Sequence, residues 1–262
     1  MGEMFANPEG YERNMGRWSA RLAPLFLDFL DMKNGASVLD VGSGTGALTQ
    51  SLLERDAHAK IVGIDPAEPF VDYCRRKLGC ERAQFQCAAA ERLPFPDENF
   101  DCALALLVLM FVHEADRAAR EMRRVTQRGG TVGACTWHSQ GLVLDRVFFE
   151  EAGKVDSAAK SKAERLRRLN QEGQLETLWT KIGLREVRET RIDIDMEFES
   201  FDDYWSPLTQ GAGPVKAYVA ELSPHQRDML KERLRERLIG RRADGPFKLS
   251  ARAIAVKGCV PG

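Results

Sequence analysis

Apolar residues along this chain occur in two patterns, short continuous runs and segments in which they recur every three or four positions. Continuous runs are typical of strands buried on both faces of a parallel sheet, and the wider spacing is typical of amphipathic helices. The two patterns alternate through the first half of the chain, and this alternation predicts a parallel sheet covered by helices. The runs predict five strands, at residues 37–41, 60–64, 83–87, 101–107 and 131–137.

Segments with helical spacing fill the gaps between these runs. Four helices are predicted in the first half, at residues 19–30, from residue 47 onward, at 69–78 and at 116–126. After the fifth run the pattern is less regular, and helices are predicted at residues 142–153, 157–169 and around 175–182. Two longer segments, 184–198 and 247–257, alternate in part or run apolar and predict an antiparallel pair of strands. Residues 199–246 between them are too long for a hairpin loop and predict a helical insertion.

The junction between the first strand and the first following helix carries a glycine-rich turn. Gly42, Gly44 and Gly46 follow the strand at alternate positions, and helical spacing begins at the next residue. Such a turn lets the backbone approach a ligand closely, beside the unpaired N–H groups of the new helix. The glycines alone also fit a dinucleotide fingerprint. Asp40 favours a different ligand, because its carboxylate would repel a pyrophosphate and attract an ammonium or a sulfonium.

A second motif follows the third strand, where residues 89–95 read Ala-Ala-Glu-Arg-Leu-Pro-Phe. Together the two motifs resemble the class I S-adenosylmethionine-dependent methyltransferases, in particular the broad group that acts in quinone and natural-product biosynthesis. The first family motif runs acid-x-Gly-x-Gly-x-Gly, and the second runs Asp, small residue, acid, then Leu-Pro-Phe. Ala89 stands where the family often has the Asp that holds the adenine amino group. Adenine would then rely on main-chain groups near Ala90 or on another side chain.

The resemblance implies an α/β fold with a Rossmann-like seven-stranded sheet, five parallel strands plus a C-terminal antiparallel hairpin, and helices on both faces. It implies S-adenosyl-L-methionine as the cofactor and a small molecule as the methyl acceptor. The chain would divide into an N-terminal arm and helix (1–35), a methyltransferase core (36–198 and 247–262) and a helical lid that binds the acceptor (199–246).

Asp65 ends the second strand, and an acid there can accept both ribose hydroxyls of an adenosine. The alternative is a helix N-cap before Pro66. Tyr11, Arg17 and Trp18 are expected either to cover the cofactor or to pack the N-terminal segment onto its own domain. The expected cofactor-binding residues are Tyr11, Arg17, Trp18, Asp40, Gly42, Ser43, Gly44, Asp65, Pro66, Ala89, Ala90, Glu91 and Leu106.

Candidate proton acceptors are His138 and His113, which follow the fifth and fourth strands at the ligand-bearing edge of the predicted sheet. The alternative, which is the commoner one for such residues, is a surface histidine, and no motif in the chain demands a general base. Positioning of the two reactants is therefore expected to dominate catalysis. No spacing of His and Cys typical of a metal site occurs.

Composition limits the other functions open to a chain of 262 residues. A formal net charge of −1 argues against non-specific nucleic-acid binding, and the longest apolar run, 102–112, is too short to span a bilayer. The chain starts without the pattern of a signal peptide, and six cysteines without a C-x-x-C pair predict reduced thiols in the cytoplasm. Two rival functions remain, a nicotinamide-dependent oxidoreductase and a methyltransferase-like protein that only binds a ligand.

Overall fold

A computed structural model describes residues 7–156, 159, 168–210 and 214–262, apart from the side chains of residues 210 and 214. A seven-stranded sheet forms its centre, in the order β3-β2-β1-β4-β5-β7-β6. The strands are β1 Ser37–Val41, β2 Lys60–Asp65, β3 Ala83–Cys87, β4 Phe100–Leu106, β5 Thr126–Trp137, β6 Arg185–Phe198 and β7 Phe247–Cys259. Strands β1 to β5 run parallel, and β7 pairs antiparallel with both β5 and β6. The predicted fold class is confirmed.

Strand β5 begins five residues earlier than the sequence pattern predicts. Thr126 pairs with Phe100, and the register then shifts before Cys102 pairs with Thr131. The intervening Gly129 has a φ of 75°, and its N–H donates to the carbonyl of Val260. Residues 127–130, which precede the predicted strand, are therefore an irregularity within a strand that begins at Thr126.

Ten α-helices occur among the described residues, and a π-helical turn joins the first two. They are α1 Pro8–Tyr11, the π-turn Glu12–Gly16, α2 Arg17–Leu30, α3 Ala47–Arg55, α4 Glu68–Leu78, α5 Ala115–Val125, α6 Val143–Val155, α7 Gln174–Lys181, α8 Phe201–Gln210, α9 Pro214–Glu221 and α10 Pro224–Leu238. Most of the helix predicted at 157–169 lies outside the described residues. Helices α8 to α10 occupy the predicted insertion between β6 and β7.

Helices cover both faces of the sheet, as the continuous apolar strands require. On one face α2, α3 and α6 share an apolar core with the insertion, and its largest buried side chains include Trp18, Phe26 and Phe148. On the other face α5 and α7 pack over β1, β4 and β5, around Trp179, whose indole N–H donates to the carbonyl of Val132. Val71 and Cys74 of α4 pack against β3.

Strands β6 and β7 continue past the end of β5, where Trp137 pairs with Ala253. Residues 193–198 and 247–252 pair there as a two-stranded extension, here named the arm. Phe198 lies at its tip, with ring centroids 5.3 Å from Trp18, 5.5 Å from Tyr204 and 5.1 Å from Phe247. The arm therefore links α2 to the insertion through aromatic contacts.

No helix within the described part of the chain has both the length and the apolar character needed to cross a membrane.

Candidate functional site

A pocket lies at the carboxyl ends of β1, β2 and β4 and beside the segment that follows β3. Open parallel sheets bind ligands at this edge, where the order of the strands reverses. Its lining is mostly apolar and is drawn from five parts of the chain: Tyr11, Gly42, Gly44, Asp65, Pro66, Ala67, Phe70, Ala88, Ala90, Glu91, Leu106, Leu107, Val108, Phe111 and Val112. The fold thus brings the glycine turn, the acid of β2 and the motif after β3 to one place.

Backbone geometry explains the glycines of the β1–α3 turn. Gly42 and Gly44 have φ values of 73° and 53°, in the left-handed region that a side chain strains. A Cβ on Gly42 would also lie 2.5 Å from Cγ2 of Val108. The N–H groups of Gly42 and Ser43 both donate to the carbonyl of Ile64, at 2.8 Å each, which fastens the turn to the end of β2.

Asp65 ends β2 with its carboxylate turned toward the glycine turn. Its Oδ2 accepts from the N–H of Gly44 at 3.1 Å, and its Oδ1 accepts from the N–H of Ala67 at 2.9 Å. Burial raises the pKa of this carboxyl, and the two backbone donors act in the opposite direction. Each carboxylate oxygen can accept more than one hydrogen bond, so Asp65 both holds the turn and keeps lone pairs for a ligand.

Asp40 lies beneath the glycine turn and outside the pocket lining, with 1% of its surface exposed. Its Oδ2 accepts from the hydroxyl of Thr49 on α3 at 2.7 Å. Burial raises its pKa to about 6, against the lowering effect of Thr49. The sequence analysis expected this carboxylate to attract a cationic ligand directly. In the structure it instead ties β1 to the first turns of α3, because the alternation of the strand turns it away from the pocket.

The N-terminal segment divides at the π-turn. Tyr11 lines the pocket with its ring edge-on to Phe70, at a centroid distance of 5.7 Å, and Glu12 pairs with Lys77 of α4 at 3.2 Å. Arg17 and Trp18 contact the arm and the insertion instead, and neither lines the pocket. Tyr11 therefore lies at the pocket, whereas the helix that begins at residue 17 packs onto the arm and the insertion.

The remaining expected residues fall on both sides of the pocket boundary. Pro66, Ala90, Glu91 and Leu106 line it, whereas Ser43 and Ala89 do not. Sequence analysis missed the wall formed after β4 by Val108, Phe111 and Val112. Its signal was their spacing of i, i+3 and i+4, which places them on one side of a helical turn.

Neither histidine belongs to the pocket lining. Nδ1 of His138 accepts from the N–H of Gly141 at 2.9 Å, and the carbonyl of His113 accepts from Arg168 at 3.0 Å while its side chain is exposed. Their proposed proton-accepting role has no support from this geometry.

Comparison with known proteins relates most of the pocket-forming part of the chain to a family. Residues 39–133 match the model of a methyltransferase domain family. The malonyl-[acyl-carrier protein] O-methyltransferase of Halorhodospira halophila is 33% identical over 117 residues, which cover 44% of this chain and 40% of that protein. The ubiquinone/menaquinone biosynthesis C-methyltransferase of Hahella chejuensis is 37% identical over 109 residues, which cover 40% and 44%. The chain thus spans less than half of the length of these curated relatives.

A solved structure shows the fold over most of the chain. The phosphoethanolamine N-methyltransferase 2 of Haemonchus contortus, in complex with S-adenosyl-L-methionine, has a TM-score of 0.61 and 16% identity. The alignment covers 97% of this chain and 57% of that one. Residues 39–133 therefore match a methyltransferase domain within a fold that this solved structure shares, and the resemblance drawn from the motifs is confirmed.

Proposed function

We propose that this protein transfers a methyl group from S-adenosyl-L-methionine to a small-molecule acceptor. The observation that carries the proposal is the pocket itself, in which the Gly42–Gly44 backbone and the Asp65 carboxylate meet at the carboxyl edge of the sheet. The relatives named as a malonyl-[acyl-carrier protein] O-methyltransferase and a ubiquinone/menaquinone biosynthesis C-methyltransferase support methyl transfer.

The pocket residues fit the cofactor in two parts. Asp65 would hold the ribose hydroxyls, and the apolar side chains of Pro66 and Phe70 would cover the base. The backbone at Gly42 and Gly44 would lie beside the methionine part, where only glycine allows so close an approach. When bound, the cofactor supplies a methyl group already activated on a sulfonium. Asp40, Arg17, Trp18, Ser43 and Ala89, which sequence analysis also assigned to the cofactor, would act at most indirectly.

The protein's own contribution is to enclose and orient the reactants. Leu107, Val108 and Phe111 form an apolar wall that would exclude water from the transferring methyl. Burial raises the pKa of the Tyr11 phenol above its usual value. Positioning alone can supply several kcal/mol, about 7–11 in the best intramolecular cases. With both histidines outside the lining, we propose that positioning dominates.

We further propose that the insertion, residues 199–246, helps to hold the acceptor. None of its described residues lines the pocket, but Asp203 of α8 binds Arg17 at the start of α2, and the same N-terminal segment presents Tyr11 to the pocket. The insertion is therefore mechanically joined to one side of the site. We place the protein in the cytoplasm, which its six unpaired cysteines support.

Isothermal calorimetry tests the proposal. S-adenosylmethionine and S-adenosylhomocysteine should each bind with one-to-one stoichiometry, and NAD should not bind. Tight binding of NAD alone would refute the proposal and favour the oxidoreductase alternative. Cofactor binding without methyl transfer to any of a panel of quinols, phenols, amines and carboxylic acids would favour the rival that only binds a ligand.

A further inference from the structure

The end of the pocket farthest from the glycine turn has few polar side chains. If Asp65 at the tip of β2 holds the ribose, the base must lie on the side of β3, because β1 and its turn occupy the other side. This end is lined by Pro66, Ala67 and Phe70, by Ala88 and Ala90, and by Glu91. The side chain of Glu91 is the only one of these six that can form a hydrogen bond.

The Glu91 carboxylate is available to a ligand. Its side chain is half-buried and makes no hydrogen bond or ion pair to another described residue. Neighbouring acids are engaged differently: Glu68 pairs with Arg75 at 2.9 Å, and Glu121 accepts from the N–H of Leu93 and from Arg124. An acid that faces a pocket while its neighbours pair with arginines is placed to recognise a donor group.

We propose that Glu91 recognises the 6-amino group of the adenine ring and so sets the preference of this site for an adenosyl cofactor. This inference rests on the proposed function and names the base-reading residue of the same site. An ionised carboxylate only accepts hydrogen bonds, and the 6-amino group is the only donor on the exposed edge of adenine. Ala89, two residues earlier, has no acceptor in its side chain and is exposed outside the lining.

The experiment compares two ligands by calorimetry, S-adenosylhomocysteine and its 6-deamino analogue, in which purine replaces adenine. The wild-type protein should bind S-adenosylhomocysteine about 10- to 100-fold more tightly, since a hydrogen bond to a charged group is lost with the amino group. In Glu91→Ala the ratio of the two dissociation constants should fall to about threefold or less, mainly through weaker binding of S-adenosylhomocysteine. Glu91→Gln keeps a carbonyl acceptor and should retain an intermediate ratio.

Glu81→Ala is the matched control, because it removes an exposed carboxylate at the opposite end of β3. Its ratio should equal that of the wild type. A wild-type ratio retained in Glu91→Ala would overturn the inference and assign the amino group to main-chain carbonyls. Binding of neither ligand by the wild type would instead refute the proposed function. Thermal unfolding of each variant checks that the protein is folded at the temperature of measurement.

Discussion

The glycine turn and the arm are two regions of this molecule that are held together by different interactions. The turn is built from neighbours in sequence, Gly42 to Gly46. Its backbone N–H groups donate to the carbonyl of Ile64 and to the carboxylate of Asp65. The arm is held by aromatic side chains that are far apart in the sequence, such as Trp18 and Phe198. One region depends on backbone conformation, and the other depends on apolar burial.

This difference predicts that the two regions respond to different substitutions. Changes in the turn should affect ligand binding strongly, because the backbone itself lines the pocket. Changes in the arm should affect stability strongly and cofactor binding weakly, because no residue of the arm lines the pocket. The following substitutions test that separation.

Phe198→Ala should produce the largest loss of stability. Phe198 is buried among Trp18, Tyr204 and Phe247, and truncation of a buried Phe costs about 3–5 kcal/mol. Urea unfolding measures the loss, with Leu25→Ala as a control because Leu25 is 40% exposed. Below the unfolding transition, the affinity for S-adenosylhomocysteine should stay within about threefold of the wild type. A parallel collapse of affinity would show that the arm and the pocket are one unit.

Gly42→Ala should lower the free energy of unfolding by about 2–4 kcal/mol. This loss combines left-handed backbone strain with overpacking against Val108. Gly129→Ala is a matched control, since its φ of 75° is nearly the same and a Cβ there would meet nothing within 4 Å. The control should lose only the stability that backbone strain removes, and it should bind the cofactor normally. Adding Val108→Ala to Gly42→Ala should restore the stability that overpacking removes. Equal losses in the two glycine variants would refute the contact with Val108.

Asp40→Asn should change the pH dependence of stability. The folded state binds a proton at Asp40 more tightly than the unfolded chain does, because burial raises the pKa from 3.8 to about 6. The stability contributed by this group is therefore full below about pH 4 and is lost as the pH rises through about 6, by about 1–3 kcal/mol. Between about pH 4.5 and 7.5, the wild type should lose more free energy of unfolding than the variant.

Asp56→Asn should change the pH dependence of stability in the opposite direction. Backbone donors at His58 and Gly35 lower the pKa of Asp56, so its contribution is present at neutral pH and is lost on acidification. If Asp40→Asn left the pH profile of the free energy of unfolding unchanged, the carboxyl would not be buried as the structure shows.

Arg17→Lys should have the smallest effect, a loss of about 1 kcal/mol. The guanidinium of Arg17 donates to the carboxylate and to the carbonyl of Asp203, at 2.9 and 3.1 Å, and it lies 4.4 Å over the ring of Trp18. An ammonium cannot make this planar set of contacts. Arg128→Lys, at an exposed pair with Glu98, should change stability by less than about 0.5 kcal/mol. If Arg17→Lys weakened cofactor binding more than about tenfold, Arg17 would be assigned to the cofactor site after all.

The contrast between contacts made by sequence neighbours and contacts made by distant residues also explains how much of the structure the sequence could predict. Strands β1 and β3 match their predicted ends to the residue, because short buried runs leave a clear local pattern. The glycine turn and Asp65 were found for the same reason. Val108 and Phe111 were missed as pocket residues because an apolar side chain reads alike in a core and in a ligand wall. The separation of 186 positions between Arg17 and Asp203 leaves no local signal at all.

The π-turn between α1 and α2 determines which way the N-terminal segment faces. Tyr11 and Trp18 are seven residues apart, a spacing that would put them on nearly the same side of an uninterrupted α-helix. The wider i to i+5 turn at Glu12–Gly16 changes the rotation between them. The continuous segment formed by α1, the π-turn and α2 can therefore contact α4 through one side and the arm through another. The number of residues in this turn, more than their identity, keeps the two contacts in phase, so a one-residue deletion there would force the segment to give up one of them.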